Sequence, residues 1–154
     1  MADLQAYDDL IMDHIKNARN YRALADATHH ANGTNPLCGD DLAVFLRLDG
    51  DRIADVSFQC TCCGISMASA SVMTASVRGQ RAIEVRELLA SLVAALAAKA
   101  DPASREADPA QYALLETVRK FPARTRCAIL PWVTLKAALD NRRDPVSVEL
   151  ATPS

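Results

Sequence analysis

The chain has 154 residues, half of them apolar and 23% charged, and a net charge of −2. This length and composition predict one domain around a single core and exclude the disordered and fibrous classes of protein. No basic run is interleaved with aromatic residues, so we expect no binding to nucleic acid.

The remaining bulk features concern membranes and export. The longest apolar stretch, residues 88–98, is shorter than the roughly 20 residues that a membrane-spanning helix needs. The amino-terminal segment is acidic and lacks the basic start of an export signal. We therefore expect a soluble protein of the cytoplasm that does not bind membranes.

The first third of the chain combines one helix with a turn-rich segment and a hairpin. Apolar residues at helical spacing predict an amphipathic helix over residues 3–17. Residues 21–41 contain Asn-Gly and Asn-Pro pairs and are predicted to be a loop. Alternating apolar segments flank Asp49-Gly50-Asp51, which predicts a β-hairpin over residues 42–59 because glycine accepts the positive φ of the turn.

The rest of the chain is predicted to be mostly helical. Periodicity and breaker residues predict helices at 66–77, 84–99, 109–119 and 128–140. Ser66 is expected to cap the first of these, and Pro131 to lie in the first turn of the last. Together these elements predict an α+β fold, in which a small antiparallel sheet of about three strands is packed by helices on one side. We expect one domain over residues 1–140 and a flexible tail over 141–154.

Cysteine is the most informative residue type in the sequence. The chain has five cysteines, and three of them lie in the segment Cys60-Thr61-Cys62-Cys63. An odd number so closely spaced is a poor disulfide framework, and in a reducing compartment such thiols more often bind metal or carry out redox chemistry. A free cysteine can also be simply a small buried hydrophobic residue. Three cysteines in four positions beside a glycine do not fit that interpretation.

Four side chains from three segments are candidate metal ligands: Cys38, Asp40, Cys63 and Cys127. Their wide spacing differs from the paired Cys-x-x-Cys knuckles of zinc fingers. Cys38 and Asp40 flank a glycine, so both side chains can point at one ion. Cys63 and Cys127 each precede a predicted helix, whose partial positive charge favours the thiolate form that binds metal. These residues predict a single metal site.

Several segments resemble the U-type iron–sulfur cluster assembly proteins, a family that includes IscU, SufU and the N-terminal domain of NifU. The resemblance covers roughly residues 5–140, in order. The segments that carry it are residues 7–20, Asn35-Pro36-Leu37-Cys38-Gly39-Asp40, residues 64–74, and Arg124-Thr125-Arg126-Cys127-Ala128-Ile129-Leu130. It implies an IscU/SufU-like α+β fold.

Two branches of this family differ around the third cysteine. The IscU-like scaffold branch usually has a histidine immediately before that cysteine and a chaperone-binding Leu-Pro-Pro-x-Lys segment. Here Arg126 precedes Cys127 and no such segment is present. The SufU-like branch has an insertion before the third cysteine and an arginine three residues ahead of it. The long stretch between Thr74 and Cys127, together with Arg124, is similar to the SufU-like branch.

The resemblance to that branch implies a function and a partner. It implies zinc held by all four candidate ligands, with Arg124 next to Asp40 to offset the negative charge. The implied partner is a SufS-type cysteine desulfurase that holds sulfur as a persulfide and whose histidine displaces one cysteine ligand. The freed thiolate, by position that of Cys38, would accept the sulfur and pass it to downstream cluster assembly proteins. The alternatives are a scaffold that assembles an iron–sulfur cluster on the same cysteines, or a structural zinc module.

The chain departs from the family at Cys60 and Cys62, where glycines are usual. Glycine at those positions indicates backbone angles that a side chain would strain. The two cysteines could be inert replacements. They could be extra ligands that allow Cys62 to substitute for Cys63 or a cluster to bind, or thiols that relay or resolve a persulfide by disulfide exchange. The neighbouring pair His29-His30 could also bind metal, although its position in the family is not a ligand position.

Overall fold

A computed structural model describes residues 2–36, 39–98, 109–142 and 144–148, with side chains from residue 9 onward. Five helices, one 3₁₀ turn and four strands follow one another along the chain. They are α1 (Ala2–Lys16), β1 (His29–Asn35), β2 (Asp40–Asp49), β3 (Arg52–Thr61), α2 (Gly64–Val77), α3 (Ala82–Ala98), α4 (Pro109–Lys120), the 3₁₀ turn Pro122–Arg124, α5 (Thr125–Leu139) and β4 (Val146–Ser147). The predicted α+β class is confirmed.

The strands form one mixed sheet in the order β3-β2-β1-β4. The pairs β1/β2 and β2/β3 are antiparallel, whereas β1 and β4 are parallel. The hairpin of β2 and β3 is confirmed, and Gly50 in its turn has φ 63°. The sheet has four described strands rather than three, because β4 forms within the tail that we expected to be flexible.

The prediction of a loop over residues 21–41 was wrong for β1. This strand has little intrinsic preference for β structure, because it contains asparagine and glycine in place of branched apolar residues. It forms through pairing with β2 and through burial of Ala31, Gly33 and Asn35, which alternate along it beneath α5. A Cβ atom on Gly33 would lie 2.0 Å from Thr134 Oγ1. Glycine at this position therefore lets α5 approach the sheet.

The start of α5 also differs from the prediction. The helix begins at Thr125 rather than near Ala128, so Pro131 lies in the helix interior and not in its first turn. Proline has no N–H to donate to the carbonyl of Cys127, four residues earlier. The hydroxyl of Ser66 on α2 lies 3.0 Å from that carbonyl oxygen and can donate to it. The Ser69 hydroxyl donates to the carbonyl of Ala128 in the same way, so α2 satisfies the first turns of α5.

The core lies between the helices and one face of the sheet. Strand β2 contributes alternate buried residues to it, and β3 contributes Ile53, Val56 and Phe58. Helix α2 is buried along most of its length because its side chains are small. The predicted apolar stripe of α3 is confirmed by burial of Val85, Leu89, Leu92 and Leu96. Within the described ranges, no helix is both long and apolar enough to cross a membrane.

Candidate metal centre

Three of the four candidate ligands converge where the carboxyl end of β3 meets two helix starts. Asp40 is the first residue of β2, Cys63 is the N-cap of α2, and Cys127 lies in the first turn of α5. Their ligand atoms all lie within 4.8 Å of one another. We call Asp40, Cys63 and Cys127 the ligand cluster. Three elements that are distant in sequence thus bring two sulfur atoms and a carboxylate to one point.

The carboxylate of Asp40 is fixed by two hydrogen bonds. Its Oδ1 accepts from the backbone N–H of Cys63 at 3.0 Å, and its Oδ2 accepts from the Ser66 hydroxyl at 3.2 Å. Asp40 is only 1% exposed, and a buried carboxylate is costly unless it is paired or hydrogen-bonded. The fold therefore holds this side chain in place before any ion binds.

Ser66 has a different role from the one predicted. The N-cap of α2 is Cys63, and Ser66 lies inside the helix, fully buried. Its hydroxyl is shared among Asp40 Oδ2, the Cys127 carbonyl and, at 3.7 Å, the sulfur of Cys63. Ser66 thus touches all three members of the ligand cluster and connects them.

The thiol of Cys63 is set up to lose its proton. A hydrogen bond from the Cys127 thiol, supported by the backbone and side chain of Ser66, lowers the pKa of Cys63 to about 5, although burial and the charge of Asp40 oppose this. The N-terminus of α2 adds partial positive charge at the same atom. A thiolate at neutral pH is the form of cysteine that binds metal.

Cys127 is fully buried and receives a hydrogen bond that we did not expect from the sequence. The side-chain amide of Asn35 lies 3.6 Å from its sulfur, with Nδ2 as the donor. Asn35 is itself fully buried, and its Oδ1 has no hydrogen-bond partner among the described residues. The only sequence signal for this role was the position of Asn35 beside the first cysteine segment.

The chemistry of the ligand cluster fits zinc. Thiolate sulfur and carboxylate oxygen are both ordinary zinc ligands, and zinc sites in proteins take four ligands in a tetrahedron. Asn35 supplies the outer hydrogen bond that metal-binding side chains normally have. The cluster provides three ligands, so one further ligand would complete a tetrahedral site.

A known family matches most of the chain. The family described as NifU-like N terminal domain matches residues 6–128. The chain belongs to this family.

Two relatives of this NifU-like domain illustrate the range of the family. The zinc-dependent sulfurtransferase SufU of Bacillus subtilis is 35% identical over 133 residues, covering 84% of this chain and 86% of SufU. The iron–sulfur cluster assembly scaffold protein IscU of Thermotoga maritima is 32% identical over 144 residues, covering 90% of this chain and 96% of IscU. The domain is therefore a member of the iron–sulfur cluster assembly family that includes SufU and IscU.

A solved structure agrees with the assignment. FiSufU of Fervidobacterium islandicum, a candidate iron–sulfur cluster assembly scaffold protein for the SUF system, superposes with a TM-score of 0.76 at 30% identity. The superposition covers 85% of this chain and 94% of FiSufU. The expected IscU/SufU-like fold is confirmed.

Two predicted site residues of the NifU-like domain stay predictions. Cys38 lies outside the described residues. Gly39, which follows it, has φ 72°, a backbone angle that glycine adopts without strain. Arg124 is exposed, in the 3₁₀ turn immediately before α5. Asp40 accepts hydrogen bonds from Cys63 and Ser66, and its contact with Arg124 stays a prediction.

Cys60 and Cys62, which we call the cysteine pair, are joined by a disulfide bond in this structure. The strain that we expected at these positions is absent. In the described part of the chain, positive φ at residues other than glycine occurs only at Asn20 and Asn141. A side chain therefore fits at both positions where the family usually has glycine.

The histidine pair lies on β1 and not in the ligand cluster. His29 Nδ1 is 2.9 Å from Thr28 Oγ1, and the His30 ring stacks on Phe45 with ring centres 6.3 Å apart. The group of described residues able to share one ion contains neither histidine.

Proposed function

We propose that this chain is a zinc-dependent sulfurtransferase that accepts persulfide sulfur from a SufS-type cysteine desulfurase for iron–sulfur cluster biogenesis in the cytoplasm. The observation that carries the proposal is the convergence of Asp40, Cys63 and Cys127 within 4.8 Å. The 35% identity to a protein named zinc-dependent sulfurtransferase supports it.

Zinc is the metal that the ligand cluster favours over a cluster of iron and sulfur. Iron–sulfur clusters are held mainly by cysteine thiolates. Here one of the three converging ligands is a carboxylate, which the protein fixes with two hydrogen bonds. Zinc accepts a mixed sulfur and oxygen ligand set and has no redox chemistry of its own, so when bound it would keep thiolates unprotonated and protected from oxidation.

Cys38 is the fourth ligand and the sulfur acceptor in this proposal. It is separated from Asp40 by a single residue in the sequence. Cys127 is fully buried, which leaves it poorly placed to meet a large partner enzyme, and Cys63 is half-buried. Arg124, exposed at the start of α5, is proposed to offset the negative charge of the site near Asp40.

A scaffold function is the second candidate. The similarity to IscU of Thermotoga maritima spans 90% of the chain and favours it. In that case a cluster would be assembled on Cys38, Cys63 and Cys127 and passed to downstream cluster assembly proteins. In the transfer proposal, the same downstream proteins receive sulfur.

The test is a desulfurase assay with the cognate SufS-type enzyme in the presence of excess external thiol. We expect the wild-type chain to stimulate alanine formation from cysteine, with the external thiol removing the sulfur that Cys38 accepts. The Cys38→Ala variant should leave the desulfurase at its unstimulated rate. The matched control is Cys62→Ser, which removes a thiol close to the ligand cluster and should stimulate like the wild type. The proposal is wrong if Cys38→Ala stimulates as well as the wild type.

A further inference from the structure

The cysteine pair lies at the carboxyl end of β3, next to the ligand cluster along the chain. The last bridge of the β2/β3 ladder joins Asp41 to Thr61. The next residues beyond that bridge are Asp40, the first residue of β2, and Cys62, which immediately follows the end of β3. Cys62 is also the neighbour of Cys63 in sequence. Two thiols that the metal site does not use therefore stand at its edge.

The disulfide of the cysteine pair can break and re-form while the backbone on either side keeps its hydrogen bonds. The Tyr21 hydroxyl donates to the Cys60 carbonyl at 3.0 Å, and the Cys60 N–H lies 3.4 Å from the same hydroxyl oxygen. On the other side, the Cys63 N–H is bound to Asp40. These hydrogen bonds hold the chain before and after the pair, and none of them involves the disulfide.

The disulfide itself adds little to the stability of the fold. It joins residues separated by two positions, and a loop this short constrains the unfolded chain weakly. Its Cα atoms are 5.5 Å apart, within the range that a disulfide spans, so the two sulfurs meet while β3 keeps its register. Both cysteines are half-buried, with exposed Thr61 between them, so a reductant can reach the bond.

We propose that the reduced cysteine pair is a built-in reductant that releases persulfide sulfur from this site as sulfide. This rests on the proposed function, since the sulfur must first arrive as a persulfide on Cys38. The pair would supply the two electrons that convert persulfide sulfur to sulfide.

The reaction balances in two steps of thiol–disulfide exchange. First, the Cys62 thiolate attacks the outer sulfur of the Cys38 persulfide; the sulfur–sulfur bond of that persulfide breaks, and Cys38 leaves as a thiolate. Cys62 now carries the persulfide. Second, the Cys60 thiolate attacks the inner sulfur on Cys62, a Cys60–Cys62 disulfide forms, and hydrosulfide leaves. The pair is oxidised by two electrons and the transferred sulfur is reduced by two, and an external dithiol then returns the pair to the reduced form.

The experiment is a single turnover without external thiol. The zinc-loaded chain is reduced, freed of reductant under nitrogen, and given one equivalent of cysteine with the SufS-type desulfurase. Sulfide is measured by colorimetry and the chain by intact mass. We expect about one sulfide per wild-type chain and a chain that has lost two hydrogen atoms and gained no sulfur.

Variants separate the two steps. The Cys60→Ser/Cys62→Ser variant should release no sulfide and keep the added sulfur atom, and Cys60→Ser alone should hold that sulfur on Cys62. Zinc content of each variant is measured first, and a value equal to that of the wild type shows an intact site. The proposal is overturned if the wild type keeps its persulfide with both pair thiols free, or if the double variant releases sulfide as fast.

A second arm distinguishes this proposal from the transfer function. If the double variant gains no sulfur from the desulfurase, the transfer function fails. The reduced chains are then charged with inorganic polysulfide, desalted, and followed in the same way. Release of sulfide with oxidation of the pair in the wild type but not in the double variant supports the built-in reductant, and equal release by both overturns it.

Discussion

The ligand cluster and the cysteine pair are neighbours at the end of β3, but different contacts hold them in place. The ligand cluster draws one residue from each of three elements and is held by hydrogen bonds from Ser66 and Asn35. The cysteine pair comes from a single strand end, is half-buried, and is held through its backbone by Tyr21. The fold therefore positions the side chains of the ligand cluster but only the backbone of the pair, which leaves the thiols of the pair free to change their bonding.

The largest expected effect is a loss of zinc affinity when a cysteine of the ligand cluster is replaced, without such a loss when a cysteine of the pair is replaced. Cys127→Ser removes a fully buried candidate ligand, and we expect zinc affinity to fall by more than the ~10–100-fold that is typical when an outer partner is lost. Zinc affinity is measured by competition with a chelator. Cys62→Ser is the control and should bind zinc like the wild type. A Cys127→Ser chain with wild-type affinity would show that Cys127 is not a ligand.

The next effect tests whether the outer hydrogen bond matters to the ligand cluster. Asn35→Ala removes the amide that lies 3.6 Å from the sulfur of Cys127, and we expect a loss of about 10–100-fold in zinc affinity. The same chelator competition measures it. The matched control is Asn32→Ala, on the same strand but exposed, which should change nothing. Equal zinc affinities of the two variants would show that Asn35 does not support zinc binding.

A third effect concerns the packing of α5, which carries Cys127, on β1, which carries Asn35. In Gly33→Ala the new Cβ would meet Thr134 Oγ1, and we expect the free energy of unfolding to fall by about 1–3 kcal/mol, as in other overpacked cores. Chemical denaturation of the metal-free chain measures this. Adding Thr134→Ala should restore part of the loss because it removes the clashing oxygen. A Gly33→Ala chain as stable as the wild type would contradict the close packing of α5 on β1.

A fourth effect is a pH dependence that belongs to the ligand cluster alone. The Cys127 hydrogen bond lowers the pKa of Cys63 from 9.0 to about 5 in the folded chain. A lowered pKa stabilises the fold fully above pH 9, and this contribution is lost as the pH falls through about 5. In the metal-free, reduced chain, the free energy of unfolding should therefore rise with pH between these values more steeply than in Cys63→Ser. Parallel curves for the two chains would show that Cys63 is not a thiolate at neutral pH.

The same contrast explains what the sequence could predict. Periodic apolar residues identified the helices, and Gly50 identified the hairpin, because both are local patterns. The residue types of Asp40, Cys63 and Cys127 identified the ligand cluster. The partners of the cluster were missed, since Asn35 and Ser66 act through contacts between distant elements. Strand β1 was missed because its own residues do not favour a strand and its neighbours determine it.

The start of α5 is another feature that the local sequence did not predict. Pro131 indicated a helix beginning near Ala128, because proline is usually found in a first turn. The helix instead begins at Thr125, and the Ser66 hydroxyl lies 3.0 Å from the Cys127 carbonyl oxygen, which Pro131 leaves without a backbone donor. This shift places Cys127 inside the first turn of the helix. This contact between α2 and α5 could not be predicted from the local pattern in α5.

The central claim is that the ligand cluster binds one zinc ion and not an iron–sulfur cluster. The most direct measurement is metal analysis together with a visible absorption spectrum of the chain purified without oxygen. We predict one tightly bound zinc per chain and no visible band. A brown chain that contains iron and sulfide and little zinc would contradict the claim and establish the scaffold function.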